Sequence, residues 1–282
     1  MHVLVAGAGW LGSALVEALV ARGDRVTAVR RSAERLLLLE RLGASALPLD
    51  LAAARSPERV PADVDAIVAC QAAHADSPEA YRTAYVDVNR NLVEVARRGA
   101  GRRLVYTSST GVFGQADGSD VDETTPPMPM SAAAQVLVDA ERVVLEAAST
   151  GVHACVLRLS GLYGPGRHGI LERVRSGALG VGPGDRAWMN FCHRDDAVAF
   201  VLAALDRGRA GAVYHGSDAQ PASRADVARW IGDRLGIDPA SGVAAGGPNR
   251  RIISERTRAE LGVELRHRSF RDGLAGVAGP GG

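Results

Sequence analysis

The chain has 282 residues, 33 basic and 32 acidic side chains, and a formal net charge of +1 at pH 7. That balance lacks the basic excess of a nucleic-acid binder, and the length suits one large α/β domain or a main lobe with a smaller second one. All 33 basic residues are arginine, so Schiff-base chemistry, a Walker-type phosphate lysine and a Tyr/Lys acid–base pair are excluded. Ala, Arg, Gly and Val are abundant, as under a GC-rich coding bias, and such a bias replaces surface lysines without changing any mechanism.

The start, Met1 to Ala6, has no basic n-region and is expected to be a strand rather than a signal peptide. The aliphatic run Leu36 to Leu39 is far too short to span a membrane. Cys70, Cys155 and Cys192 are odd in number and lack metal-like spacing. They read as thiols in a reducing compartment. The expectation is a cytoplasmic, soluble protein with no metal.

Strands are predicted at 2–6, 25–30, 44–48, 65–70, 102–107 and 152–158, with helices at about 11–22, 32–42, 77–98 and 131–149. This alternation predicts a doubly wound parallel sheet of Rossmann type, with helices on both faces. Gly23, Gly43, Gly99 and Gly151 each follow an apolar periodic segment, as C-terminal caps do. Arg97, Arg98, Arg102 and Arg103 flank one turn and are expected to be solvated. The stretch 108–130 is long, rich in Gly, Asp and Pro, and follows a strand, where ligands bind in this architecture. From residue 161 the alternation breaks, with helices expected at 168–177, 194–207, 222–236 and after Ser254. The expected division is a Rossmann domain at 1–160 and a smaller substrate lobe at 161–282, interleaved as one structural unit. The Gly/Ala-rich tail from Gly273 is expected to fray.

Gly7-Ala8-Gly9-Trp10-Leu11-Gly12 is G-x-G-x-x-G between an apolar strand and an amphipathic helix. Gly7 suits the tight turn, Gly9 a close approach of pyrophosphate to the helix N-terminus, and Gly12 helix packing on the sheet. The next strand ends in Arg30-Arg31-Ser32. An NAD site carries Asp or Glu there for the ribose 2′-hydroxyl, whereas guanidinium forks and a hydroxyl suit a 2′-phosphate. NADP(H) is therefore favoured over NAD(H). Asp50-Leu51 follows the third strand, where it would meet the adenine edge or cap a helix.

The glycine loop, Tyr106 through Gly114, Asp122-Glu123-Thr124, Arg158 through Gly166 and His193-Arg194-Asp195-Asp196 resemble, in this order, extended short-chain dehydrogenases/reductases, the NAD(P)-dependent epimerase/dehydratase-like proteins. The resemblance spans roughly residues 1–270. It implies that Ser109 is the active-site hydroxyl, that Gln71, Thr107 and Leu162 join the cofactor set, and that the 70–75 loop and the 160–193 region line the pocket. Phe113, Tyr163, Trp188 and His193 are the expected substrate-side residues; core packing explains Phe113 and Trp188 equally well, Tyr163 reads as packing rather than an acid, and His193 reads as a cap or packing residue rather than a catalyst. A family-like dimer through the helices at 77–98 and 131–149 rests on analogy alone.

The departure lies on the helix after the long loop. The family's Y-x-x-x-K falls on Ser131 to Val138, where Ala133 stands for the tyrosine and Leu137 for the lysine. No tyrosine occurs between Tyr106 and Tyr163. A serine hydroxyl is too weak an acid to replace a phenol, so a histidine such as His74, His168 or His193 is the conceivable proton donor. Of these His168, in the Gly-rich segment, is paired with Ser109 as the catalytic candidate. An NADP-dependent reductase of a small-molecule imine or carbonyl is the expected function, with an iminium needing orientation more than acid. The alternatives are a non-catalytic NADP-binding sensor or scaffold, and a non-redox lyase, isomerase or cyclase on the same fold.

Overall fold

A computed structural model describes residues 1–32, 36–75, 77–98, 102–179, 181–182, 185–239 and 247–276. The expected helix start at 33–35, the Gly99 cap and the tail from residue 277 lie outside the described residues. The chain forms two compact units. The first holds Met1–Val112, Pro129–Arg158 and Val198–Tyr214, and the second Phe113–Met128, Leu159–Ala197 and His215–Gly282.

In chain order, β1 (His2–Ala6), α1 (Trp10–Ala21), β2 (Arg25–Arg30), α2 (Leu36–Arg41), β3 (Ser45–Pro48), α3 (Ser56–Arg59) and β4 (Ala66–Ala69) open the fold. Next, α4 (Pro78–Tyr81), a π-helical turn (Arg82–Asp87) and α5 (Val88–Arg97) follow without a break. Then come β5 (Arg103–Ser109), β6 (Asp120–Val121), α6 (Ala132–Ser149), β7 (His153–Leu159) and β8 (Gly161–Tyr163). The remainder is α7 (Gly169–Arg175), β9 (Trp188–Met189), β10 (Phe191–His193), α8 (Arg194–Arg207), β11 (Val213–Gly216), β12 (Ala222–Ser223), α9 (Arg224–Leu235), β13 (Arg251–Ile252), α10 (Glu255–Leu261) and α11 (Phe270–Leu274).

The main sheet is a seven-stranded Rossmann-like layer in the order β11-β7-β5-β4-β1-β2-β3. β1 pairs in parallel with β2 on one side and β4 on the other, with Val3 opposite Val26 and Ala66. The chain therefore changes direction across the sheet between β1 and β4, and a crevice opens beyond the carboxyl ends of strands at such a switch point. Val3 to Ala6 are fully buried, which is why β1 reads as a continuous apolar run and not as an alternation. The six predicted strands are present. The seventh, β11, is four residues long and gives too short a pattern to stand out from the irregular second half.

Two arginines of the first unit differ from a solvated surface. Arg102 is 7% exposed, and its guanidinium donates to the carbonyls of Val95 and Ala62. It satisfies buried backbone that the turn leaves open, so the expectation of four solvated arginines fails at this position. Arg158 on β7 is 4% exposed and pairs with the buried Glu141 of α6, Nη2 to Oε2 at 2.7 Å. Its Nε also donates to Glu141 Oε1 at 3.0 Å, and the Ser108 hydroxyl donates to that oxygen at 2.6 Å. The carboxylate is thus saturated, as a buried charge requires.

The second unit is built from three small two-stranded sheets, β8 with β10, β9 with β12 and β6 with β13. Tyr163, Phe191, Ile231 and Phe270 belong to its apolar core. Among the described residues no helix is long and apolar enough to cross a membrane.

Candidate functional site

The glycine turn joins β1 to α1. Gly7 has φ +96°, and a Cβ there would lie 2.5 Å from the Gln71 Cα. A Cβ on Gly12 would lie 2.4 Å from the Gly7 carbonyl oxygen and 3.1 Å from Cys70 Sγ. Both positions exclude a side chain, one by conformation and contact, the other by contact alone. Gly9 differs. The nearest atom to a Cβ there is 3.9 Å away, so its surroundings are open. Gly9 is the N-cap of α1 and supplies no side-chain cap. The first-turn N–H groups of Trp10, Leu11 and Gly12 lack intrahelical acceptors, and a helix start of this kind attracts an anion. The Leu11 side chain is buried and Gly12 has none, so these residues offer backbone, not side chain.

The turn fronts a cavity of about 460 Å³, within the usual range for a small-molecule site. Gly7, Gly9, Arg30, Arg31, Ser32, Asp50, Leu51 and Gln71 line it together. Trp10, Leu11, Gly12, Thr107 and Leu162, also expected in the cofactor set, do not line it. Arg30 Nη1 donates to the Ala8 carbonyl at 2.6 Å, while Arg31 and Ser32 are exposed. Asp50 is exposed and its Oδ1 accepts from the Ala52 N–H at 3.1 Å. It organises its own turn, and α3 begins only at Ser56. Gln71 Nε2 donates to Asn89 Oδ1 at 3.0 Å, and Gln71 Oε1 is buried without a hydrogen-bond partner.

Sequence reasoning missed one wall of the cavity. Ala80, Thr83, Ala84 and Val88 line it from α4, the π-helical turn and the start of α5. Small residues at 80 and 84 were the available signal, since four-residue spacing places them on one helix face. The π-helical turn itself has no marker in the sequence, which predicts a plain helix at 77–98. His74 also lines the cavity.

Ser109 ends β5 and is partly exposed; its Oγ accepts from the Gly111 N–H at 3.0 Å. That bond uses a lone pair and leaves the O–H able to donate elsewhere. Thr107 Oγ1 donates to the Ala69 carbonyl at 3.2 Å. On α6, residues 133, 137 and 141 share a face by spacing. Ala133 is partly exposed and Leu137 is 9% exposed. The first ionisable group on that face is Glu141, already saturated.

In the second unit, His168 caps α7 and is partly exposed, with Nδ1 buried and unpartnered. Leu162 sits in β8 opposite Cys192 of β10. Phe113, Tyr163 and His193 are 1%, 4% and 5% exposed. Phe113 packs edge-on against His215, and Tyr163 against both Phe191 and His193. Their expected place on the substrate side is therefore corrected to packing: the rings are enclosed by other rings. Burial pushes the Tyr163 hydroxyl far above its ordinary range, which also removes it as an acid. Trp188 is partly exposed, with Arg251 over its ring at 5.2 Å.

His193, Asp196 and His267 come close together, yet their atoms are engaged. His193 Nδ1 accepts from the Asp195 N–H, and Asp196 accepts from the backbone N–H groups of Arg266 and His267 and bonds the His267 ring at 2.9 Å. Burial and the neighbouring His267 hold His193 below its usual pKa. Asp122 Oδ1 accepts from the N–H groups of Thr124 and Thr125 and organises its loop, while Glu123 accepts from the Thr257 N–H in the first turn of α10. Asp218 is 3% exposed, and no cation pairs with its carboxylate among the described residues. Burial pushes its pKa up to about 8, against partial relief from the Gln220 and Phe270 N–H groups.

Comparison with known proteins adds four findings. The model of the NAD dependent epimerase/dehydratase family matches residues 3–215. A Streptomyces protein named 3-diazoavenalumate denitrifying reductase is 33% identical, over 97% of this chain and 99% of the relative. Protein YeeZ of Escherichia coli K12 is 30% identical, over 94% of this chain and 96% of its own. Among solved structures, UDP-glucuronic acid 4-epimerase of Bacillus cereus in complex with NAD superposes with TM-score 0.83 at 19% identity, covering 99% of this chain and 96% of that one. That last likeness is one of fold.

Proposed function

The chain belongs to the NAD dependent epimerase/dehydratase family, and from that premise we propose an NADP-dependent reductase whose substrate reaches the site already electrophilic. The supporting observation is the face of α6, where Ala133 and Leu137 stand in a chain that contains no lysine. A ketone needs a proton as hydride arrives, and a positioned acid is worth about 10²–10⁴-fold in rate. A protonated imine needs none at that moment. Hydride adds to carbon, the C=N π electrons go to nitrogen, and the positive charge disappears. An aryl diazonium behaves likewise: hydride adds at the terminal nitrogen, and the resulting diazene loses dinitrogen. The name of the Streptomyces relative supports the diazo member of this class.

In this reading the glycine turn and first turn of α1 hold the diphosphate. Arginine at the end of β2 favours the 2′-phosphate. The cofactor supplies the hydride; the protein binds, orients and excludes water. Ser109 orients the substrate through its free O–H, and His168 is the residue to test as a proton donor for a carbonyl.

The test uses purified protein, NADPH and matched panels of cyclic imines, aryl diazonium salts and the corresponding ketones. Expected is oxidation of NADPH with the cationic electrophiles, with a primary isotope effect from 4-deuterated NADPH and a solvent isotope effect near unity. Efficient ketone reduction with a large solvent isotope effect, abolished by His168→Ala, would replace the acid-free reading with an imidazole acid.

A further inference from the structure

Arg30 ends β2, Arg31 follows it, and both line the same cavity, but the structure gives them different work. Arg30 is half-buried and bonded to the Ala8 carbonyl. Arg31 is exposed, with no hydrogen bond or ion pair among the described residues. We propose that Arg30 is a positioning residue that braces the glycine turn for any dinucleotide, and that discrimination between NADP and NAD falls to Arg31. The inference about Arg31 rests on the NADP reading; the inference about Arg30 does not.

The turn needs a brace. It contains three glycines in six residues, and glycine loses the most conformational freedom when held in one state. Gly9 has open surroundings that hold nothing in place. Two backbone bonds already tie the turn to β2, from the Gly7 and Ala8 N–H groups to the Val29 carbonyl at 3.3 and 3.0 Å. Arg30 follows Val29 directly and adds the third tie, on the carbonyl side of Ala8. Ala8 is fully buried, and its carbonyl accepts from the Ser13 hydroxyl at 3.3 Å and from Arg30 at 2.6 Å, so loss of the guanidinium removes the shorter of two donors. A guanidinium donor makes a charge-assisted bond, stronger than a neutral one. Three bonds from two consecutive β2 residues therefore set the direction in which the first N–H groups of α1 point.

The two roles leave different signatures. Every dinucleotide needs the diphosphate turn, so loss of a brace weakens NADPH and NADH alike. Only NADP carries a 2′-phosphate, so loss of its reader changes the ratio.

The experiment is a fluorescence titration of NADPH and NADH into the wild-type chain, Arg30→Met, Arg30→Lys and Arg31→Ala. Arg30→Met keeps the apolar stem and removes the donor. It is expected to weaken both cofactors about tenfold, with their ratio moving less than threefold. Arg30→Lys restores a cationic donor and is expected to recover part of the loss for both cofactors, which rules out simple damage to the fold. Arg31→Ala is expected to weaken NADPH about tenfold or more and to leave NADH unchanged. A drop confined to NADPH in Arg30→Met, or a loss for both cofactors with no recovery in Arg30→Lys, overturns the bracing role. An unchanged ratio in Arg31→Ala overturns its role as the discriminator. If the wild-type chain binds NADH as tightly as NADPH, the NADP reading fails, while the Arg30 result still decides the brace.

Discussion

The glycine turn and the first turns of α6 belong to the same unit and offer a ligand opposite things. At the turn, side chains are missing where they would obstruct, and first-turn N–H groups and arginines stand around a cavity. On α6, Ala133 and Leu137 present only alkyl groups, and the nearby charge of Glu141 is spent on Arg158 and Ser108. One region has the features that suit a charged dinucleotide. The other presents no group on its first turns that can lend a proton. In the proposed reading, this chain separates binding from acid catalysis. Positioning alone is worth about 7–11 kcal/mol in well-oriented reactions, so a reductase of an activated substrate can run on the first region alone.

The largest expected effect tests whether the α6 face is structural. Glu141→Ala leaves Arg158 buried without its partner, which should cost about 3–5 kcal/mol by urea denaturation. Pairing it with Arg158→Met should recover much of that loss, and the folded Glu141→Ala protein should bind NADPH as the wild type does. A stable Glu141→Ala protein that has lost reduction would mean that α6 carries chemistry after all.

Gly12→Val breaks the other side of the comparison. Its Cβ would stand 2.4 Å from the Gly7 carbonyl oxygen. Calorimetry should show NADPH binding weakened by about a hundredfold or more, since the turn must shift. Unaltered binding would sink the assignment of the cavity to the dinucleotide.

A smaller effect contrasts the saturated Glu141 with Asp218, which has no ion-pair partner among the described residues. Asp218 has its pKa raised from 3.8 to about 8 in the folded chain. A raised pKa means that the folded state holds the proton more tightly than the unfolded one. The contribution is fully present below pH 3.8 and is lost as pH rises through about 8. Asp218→Asn should therefore flatten the decline in Tm between pH 5 and pH 9, with its largest gain at the alkaline end. Equal changes at both ends would remove the titration of Asp218 as the cause.

The smallest effect is a surface control. Arg90 pairs with Asp87 at 3.1 Å, with side chains 56% and 41% exposed. Arg90→Ala should shift stability by about 0–1 kcal/mol, less in high salt. A loss comparable to that of Glu141→Ala would show that burial is not what separates the two kinds of ion pair.

Much of the fold is legible residue by residue. The runs that form β1 to β5 and β7 are apolar and punctuated by glycines, and the G-x-G-x-x-G spacing forecasts a turn too crowded for side chains at two of its positions. The site is legible only where local chemistry decides it. Arg30 ends β2 and Arg31 and Ser32 follow it directly, so the strand carries them to the cavity. Phe113, Tyr163 and His193 were ambiguous because an aromatic ring suits a pocket wall and a core equally well, and only the other rings around them decide between the two. Arg102 was misread for the same reason: a guanidinium beside a turn meets either water or stray carbonyls.

By itself the sequence determined the parallel sheet, the glycine turn and the absence of any lysine or of a tyrosine on α6. These depend on periodicity, on the lack of a Cβ and on the plain inventory of side chains, all of which are local. Tertiary structure alone decided which face of the helices at 78–97 walls the cavity, that Arg30 is bound to the Ala8 carbonyl while Arg31 is not, and that Asp218 is buried without a cation beside it. Each of these is a meeting of residues distant in the chain. Its energy depends on who the neighbours are and on whether water is excluded, and neither is written in any one segment.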